Sequence, residues 1–62
     1  MNRVVKILME RDGIDQETAE SLVKETRDEI LSLGEYNVFE ANAIIAEYLG
    51  LEPDYIFDIL NI

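Results

Sequence analysis

Three glycines, Gly13, Gly34 and Gly50, punctuate the sequence, and each follows a run in which apolar residues recur at helical spacing. Glycine is the residue most often found just beyond a helix C-terminus, so these positions divide the chain into four predicted helical segments. No strand-like alternation, repeat or low-complexity tract interrupts them. The sequence therefore predicts an all-α fold, a small bundle of three to four helices that forms a single helical domain over residues 1–62.

The first two segments have clear helical signals. The first helix is predicted from about Asn2 to Asp12, and Asp15 can cap the second by accepting hydrogen bonds from the N–H groups of its first turn. The second helix carries a continuous apolar stripe that steps by three and four residues: Ala19, Leu22, Val23, Thr26, Ile30 and Leu33. We expect this stripe to face the core, with Glu20 and Lys24 forming an i,i+4 pair on the opposite side.

The third segment begins like a capping box, because Asn37 is followed three residues later by Glu40. The predicted helix runs from about Val38 to Leu49 and is apolar on nearly every side, which is typical of a helix at the centre of a bundle or between chains. A short fourth helix is predicted from about Pro53 to Leu60, because the fixed φ of proline suits the first turn of a helix.

The segment from Ala46 to Ile56 is similar to a helix-turn-helix, with a small residue, then Gly50, then an aliphatic residue in the next helix. A helix that reads DNA presents basic or amide side chains to bases and phosphates. Here the second helix presents Asp54 and Asp58 instead. The pattern favours a structural helix-turn-helix-like C-terminal corner, and a helix-turn-helix DNA-binding regulator is the alternative function that the charge disfavours.

Negative charge is concentrated in one half of the chain. Residues 28–62 contain eight acidic and no basic residues, so they carry −8 of the net charge of −9. Such a field repels nucleic acid and anionic membranes and attracts basic surfaces over about 8 to 10 Å. Tyrosines, which are common at interface hot spots, lie among these acids. The predicted partner-binding residues are Tyr36, Glu40, Glu47, Tyr48, Asp54, Tyr55 and Asp58.

Several other classes of function lack their sequence signals. The chain has no cysteine and no histidine, and Leu8, Glu10 and Ala19 occupy positions where a calcium loop around Gly13 needs its ligands. No serine or threonine has a His or Lys base nearby, so we predict no enzyme, no metal and no cofactor. The apolar runs are far shorter than a membrane span and no secretory signal is present, which predicts a cytoplasmic protein without membrane contact.

A chain of 62 residues has little interior, yet 48% of its residues are hydrophobic. Part of this apolar surface is therefore expected to meet a second chain. The sequence predicts a non-enzymatic protein-interaction module that forms a homodimer through its third and fourth helices. Its acidic face is expected to bind a basic protein partner, as a nucleic-acid mimic or an inhibitor. The alternative interpretation is that the acidic residues only keep the protein soluble.

The turn Gly-Leu-Glu-Pro-Asp-Tyr at residues 50–55, with an Ile/Leu-rich segment after it and a long amphipathic helix before it, is similar to a class of short acidic helical proteins. Bacteria and their phages or prophages encode this class, so the resemblance implies a bacterial or phage cytoplasmic setting and no particular function. Residues 8–19 and 37–41 also resemble parts of ubiquitin-associated three-helix modules. The second helix is about two turns too long for that family, so its binding surface is not carried over.

Overall fold

The computed structural model describes residues 2–35 and 37–61. Four α-helices make up most of this part of the chain: α1 (Arg3–Asp12), α2 (Gln16–Leu31), α3 (Val38–Leu49) and α4 (Ile56–Leu60). A 3-10 helix, Pro53–Tyr55, lies at the corner between α3 and α4. The described part of the chain contains no strand. The prediction of a small all-α bundle with a C-terminal helical corner is confirmed.

Side-chain caps explain where the helices begin. Asn2 Oδ1 accepts a hydrogen bond from the N–H of Val4 at 2.8 Å and so starts α1. Asp15 accepts from the N–H of Thr18 at 2.8 Å, as predicted for the second helix. Asn37 likewise accepts from the N–H of Glu40 at 2.8 Å, and α3 has the bounds that the sequence predicts. Each cap satisfies an N–H group that has no partner inside its helix.

Two details of α2 differ from the sequence prediction. The helix ends at Leu31, so Leu33 lies in the following turn and 42% of it is exposed. The hydroxyl of Ser32 donates to the backbone carbonyl of Glu29 at 2.7 Å, a local bond that competes with continuation of the helix. The predicted pair of Glu20 with Lys24 is also wrong, because the ion pairs of the described residues do not include it. The Glu20 carboxylate instead accepts a hydrogen bond from Gln16 Nε2 at 2.9 Å.

The core is built around α2, which packs against α1, α3 and α4. Its predicted stripe is confirmed up to Ile30, and the buried Thr26 hydroxyl is satisfied by the Leu22 carbonyl at 2.8 Å. The buried apolar residues are Val4, Val5, Leu8, Ala19, Val23, Ile30, Ala41, Ile45, Leu49 and Ile59. The central helix is therefore α2, while α3, which the sequence marks as almost wholly apolar, keeps one side in solvent.

Both ends of α1 are fastened to the C-terminal half of the chain. At its start, Asn2 Nδ2 donates to the backbone carbonyl of Asp58 at 2.7 Å, and Arg3 forms an ion pair with the Asp58 carboxylate. At its end, the Arg11 guanidinium donates to the carbonyls of Leu49 at 2.7 Å and Gly50 at 3.3 Å. A cation at this position satisfies free carbonyls and faces the negative end of the α3 dipole.

Replacement of Arg11 is expected to test this C-terminal cap of α3. Arg11→Met removes both hydrogen bonds to carbonyls, together with an exposed ion pair to Asp12 that contributes little, and should lower the free energy of unfolding by about 1 kcal/mol. Arg11→Lys keeps the charge but loses the fork that reaches two carbonyls, so its loss should be smaller. Urea unfolding followed by circular dichroism measures both losses.

Lys24→Met is the matched control for charge removal. Lys24 is exposed and makes no ion pair within residues 2–35 and 37–61. Its replacement should change stability by less than about 0.5 kcal/mol. Equal losses for Arg11→Met and Lys24→Met would show that the cap does not stabilise α3.

Candidate protein-interaction surface

The described ranges enclose no cavity and contain no group of acidic side chains placed to hold a metal ion. What they present to solvent is a surface with two notable parts. One is a cluster of carboxylates around a tyrosine where α2 meets α3. The other is an exposed apolar strip on the outer side of α3.

Tyr48 of α3 lies among carboxylates from two helices. Partial burial raises the pKa of its hydroxyl above the usual 10.0, and the negative charges of Glu29, Glu47 and Glu25 raise it further. Glu25 and Glu29 stand one turn apart on α2, and both are exposed. These four residues are called the Tyr48 surface. The ring itself is 43% exposed, so a partner can reach it.

The sequence predicts two members of the Tyr48 surface, Glu47 and Tyr48, and misses the two from α2. Glu25 and Glu29 follow Leu22 by three and seven residues, so all three lie on one flank of α2. Leu22 is half-buried against the core, which shows that this flank borders a packed neighbour. The spacing alone could have identified the flank, but the helix that lies beside it depends on the tertiary arrangement.

The other predicted partner-binding residues occupy separate places. Tyr55 and Asp58 gather around Arg3, whose guanidinium carbon lies 4.7 Å from the centre of the Tyr55 ring and whose nitrogen pairs with Asp58. Asp54 is exposed beside the corner, and Glu40 is exposed in the first turn of α3. Tyr36 lies outside the described residues. The structure thus brings Glu47 and Tyr48 together on one surface and uses Asp58 in a contact with α1.

The outer side of α3 carries a line of exposed apolar residues. Phe39 is 86% exposed, and Ala43 and Ala46 are also exposed. Ala46, the small residue of the helix-turn-helix-like segment, is exposed, whereas Ala41 on the other side of the helix is buried. We call Phe39, Ala43 and Ala46 the α3 outer strip. A second exposed aromatic residue, Phe57 of α4, is 74% exposed.

Few of the carboxylates in residues 28–62 are neutralised. Among the described residues, Asp58 pairs with Arg3, Asp28 pairs with Arg27, and the remaining ion pair joins Arg11 to Asp12 in the N-terminal half. The other acidic side chains of residues 28–62 form no ion pair within the described ranges: Glu29, Glu35, Glu40, Glu47, Glu52 and Asp54. The acidic surface expected from the sequence therefore remains largely unpaired in the described part of the folded chain.

No family model, no curated protein and no solved structure matches the chain. The resemblance to short acidic helical proteins of bacteria and phages stays a prediction. None of the described helices combines the length and the apolar character needed to cross a membrane.

Titration of Tyr48 is expected to report the charges around it. Because the folded chain holds this proton more tightly than the unfolded chain, the associated stability is complete below pH 10.0 and is lost as the pH rises through the folded pKa. The near-ultraviolet phenolate absorbance of the wild type minus that of Tyr48→Phe measures this pKa. Glu25→Gln combined with Glu29→Gln should bring it back toward 10.0.

Glu10→Gln, a change to an exposed carboxylate on α1, is the control and should leave the Tyr48 pKa unchanged. Added salt should lower the raised pKa, because it screens exposed charges. A Tyr48 pKa that does not respond to the removal of Glu25 and Glu29 would contradict the arrangement of the Tyr48 surface.

Proposed function

We propose that this chain is a non-enzymatic interaction protein whose Tyr48 surface binds a basic segment of another protein. The observation that carries the proposal is the convergence of carboxylates from α2 and α3 on one partly exposed tyrosine. Glu25, Glu29 and Glu47 form no ion pair within the described part of the chain, so their charge is directed to solvent.

The chemistry of the Tyr48 surface suits an arginine-rich partner. A guanidinium group can stack on the face of a tyrosine and at the same time donate paired hydrogen bonds to a carboxylate. The surrounding negative field accelerates encounter with a basic surface and repels acidic ones. The ring supplies apolar contact area, which the carboxylates alone lack.

A basic groove that normally holds nucleic acid is one surface of the required kind. In that form of the proposal, the chain acts as a nucleic-acid mimic or inhibitor in the cytoplasm of a bacterium or a phage-infected cell. Direct binding to DNA is less well supported, because α4 has only five residues and its Asp58 is bound to Arg3. Arg11 is likewise engaged with carbonyl groups of the chain itself.

An oligoarginine peptide is a suitable probe for the proposed function. Its affinity for the full chain, measured by isothermal titration calorimetry, should fall steeply as the salt concentration rises. Glu25→Gln combined with Glu29→Gln should weaken binding by about fivefold or more, because it removes two of the negative charges that raise the pKa of Tyr48. Tyr48→Ala should weaken it by a similar factor.

Glu10→Gln combined with Glu52→Gln is the matched control, since it removes the same net charge from exposed positions on other parts of the fold. Its effect on binding should be less than about twofold. Equal losses for the two double variants would show that the peptide responds to total charge and not to the Tyr48 surface. Affinity that is insensitive to salt would point to an apolar interface.

Homodimerisation through α3 and α4 is an alternative proposal for the exposed side of these helices, supported by the exposure of Phe39 and Phe57. The single chain exposes 4053 Å², close to the roughly 4,100 Å² expected for a compact monomer of this mass. A dimer is therefore not needed to complete the core, and it must overcome repulsion between two chains of net charge −9.

Light scattering coupled to size-exclusion chromatography tests the dimer. The proposal expects twice the 7.1 kDa chain mass at tens of micromolar protein, and a smaller mass for Phe39→Ser combined with Phe57→Ser. High salt should favour the dimer, because it screens the repulsion between like charges. A clean monomer at high salt would rule the dimer out.

A further inference from the structure

The α3 outer strip extends the proposed function to a more specific partner, and this inference rests on that function. Phe39, Ala43 and Ala46 are spaced by four and three residues, so they form one line along α3 that is about 10 Å long. All three are exposed. A phenylalanine that is 86% exposed is costly to leave in water and adds little to the stability of the chain that bears it.

The shape of the strip suits a helix better than a flat surface. The bulky ring of Phe39 stands at one end, and the two alanines leave the backbone of α3 closely approachable along the rest of the strip. Small residues allow a second helix to lie near, and an aromatic residue at the edge can insert between its side chains. Apolar side chains of a partner at i, i+3 or i+4, and i+7 would match this spacing.

Charge along the edge of the strip distinguishes between two possible binding partners, a second copy of this chain and a cationic helix. Glu40 and Glu47 are seven residues apart, so they lie two turns apart on one edge of α3. Both are exposed, and neither forms an ion pair within the described residues. A symmetric contact with α3 of a second copy would bring like charges together here, since residues 28–62 contain no base. A cationic helix would neutralise them.

We propose that the α3 outer strip binds a cationic amphipathic helix of a partner protein. The apolar stripe of that helix packs on Phe39, Ala43 and Ala46. Basic residues spaced by seven along its edge pair with Glu40 and Glu47. Apolar contact then supplies most of the affinity, and the two carboxylates select a basic helix over an acidic one and set its register.

Three synthetic peptides test the proposal against the full chain labelled with nitrogen-15. The first is an amphipathic leucine and lysine helix, the second has the same composition in a scrambled order without an apolar stripe, and the third replaces lysine by glutamate. The first peptide should bind at least about tenfold more tightly than the other two. Its largest amide shifts should fall at residues 39–47.

Phe39→Ala and Phe57→Ala are a matched pair, because both remove a highly exposed phenyl ring. Phe39→Ala should weaken binding of the first peptide by about tenfold, and Phe57→Ala should weaken it by less than twofold. Ala43→Lys, at an exposed position on the strip, should abolish binding by adding bulk and positive charge. Glu40→Gln should weaken binding more than Glu52→Gln. Circular dichroism confirms that each variant is folded.

The outcomes separate this inference from the proposed function. Equal binding of the helical and scrambled peptides, or equal effects of Phe39→Ala and Phe57→Ala, would overturn the inference. Peptide binding that is lost in the Glu25→Gln and Glu29→Gln double variant but kept in Ala43→Lys would also overturn it and leave the proposed function standing. Failure of all cationic peptides, oligoarginine included, would overturn both. Self-association that Ala43→Lys abolishes would identify a second copy as the occupant and overturn the inference.

Discussion

The buried stripe of α2 is the constraint on which the rest of the structure depends. Ala19, Val23 and Ile30 are fully buried, and the helices on every side pack against them. Thr26 lies within the same stripe, and its buried hydroxyl is satisfied because it donates a hydrogen bond to the backbone carbonyl of Leu22. The inner residues of α3 pack on this stripe, Asn37 and Arg11 hold its two ends, and its outer side remains exposed.

The arginines that hold α1 to the C-terminal half neutralise few of the carboxylates in residues 28–62. Arg3 and Arg11, at the two ends of α1, bind the C-terminal half mainly through Asp58 and through backbone carbonyls. A guanidinium that satisfies carbonyls stabilises a helix end without consuming a carboxylate. Most acidic side chains of the base-free half therefore keep their full negative field, which is the property that the proposed partner recognises.

Local signals predicted α1, α2 and α3 well, because each of these helices begins at a side-chain cap. Asp15 and Asn37 start helices where the sequence indicates, and α3 has its predicted bounds. The sequence could not show which side of α3 is covered, since Ala41 and Ala46 are the same residue type and only the position of α2 distinguishes them. For the same reason it predicted Glu47 and Tyr48 but not their neighbours Glu25 and Glu29, which come from another helix. The direction in which Asp58 points was also set by a distant residue, Arg3.

The Asn2 side chain joins positions that are 56 residues apart, since its oxygen caps α1 while its nitrogen holds the Asp58 carbonyl. Most helical proteins of this size fold through contacts between near neighbours, which keeps the entropy of loop closure small. Here the cap of α1 can form locally, but the bond that anchors its capping residue to α4 forms only once the last helix has docked. Local hairpin formation can therefore be fast, but completion of the native state waits for a contact of nearly maximal chain separation. Unfolding that begins at either terminus loosens both ends together.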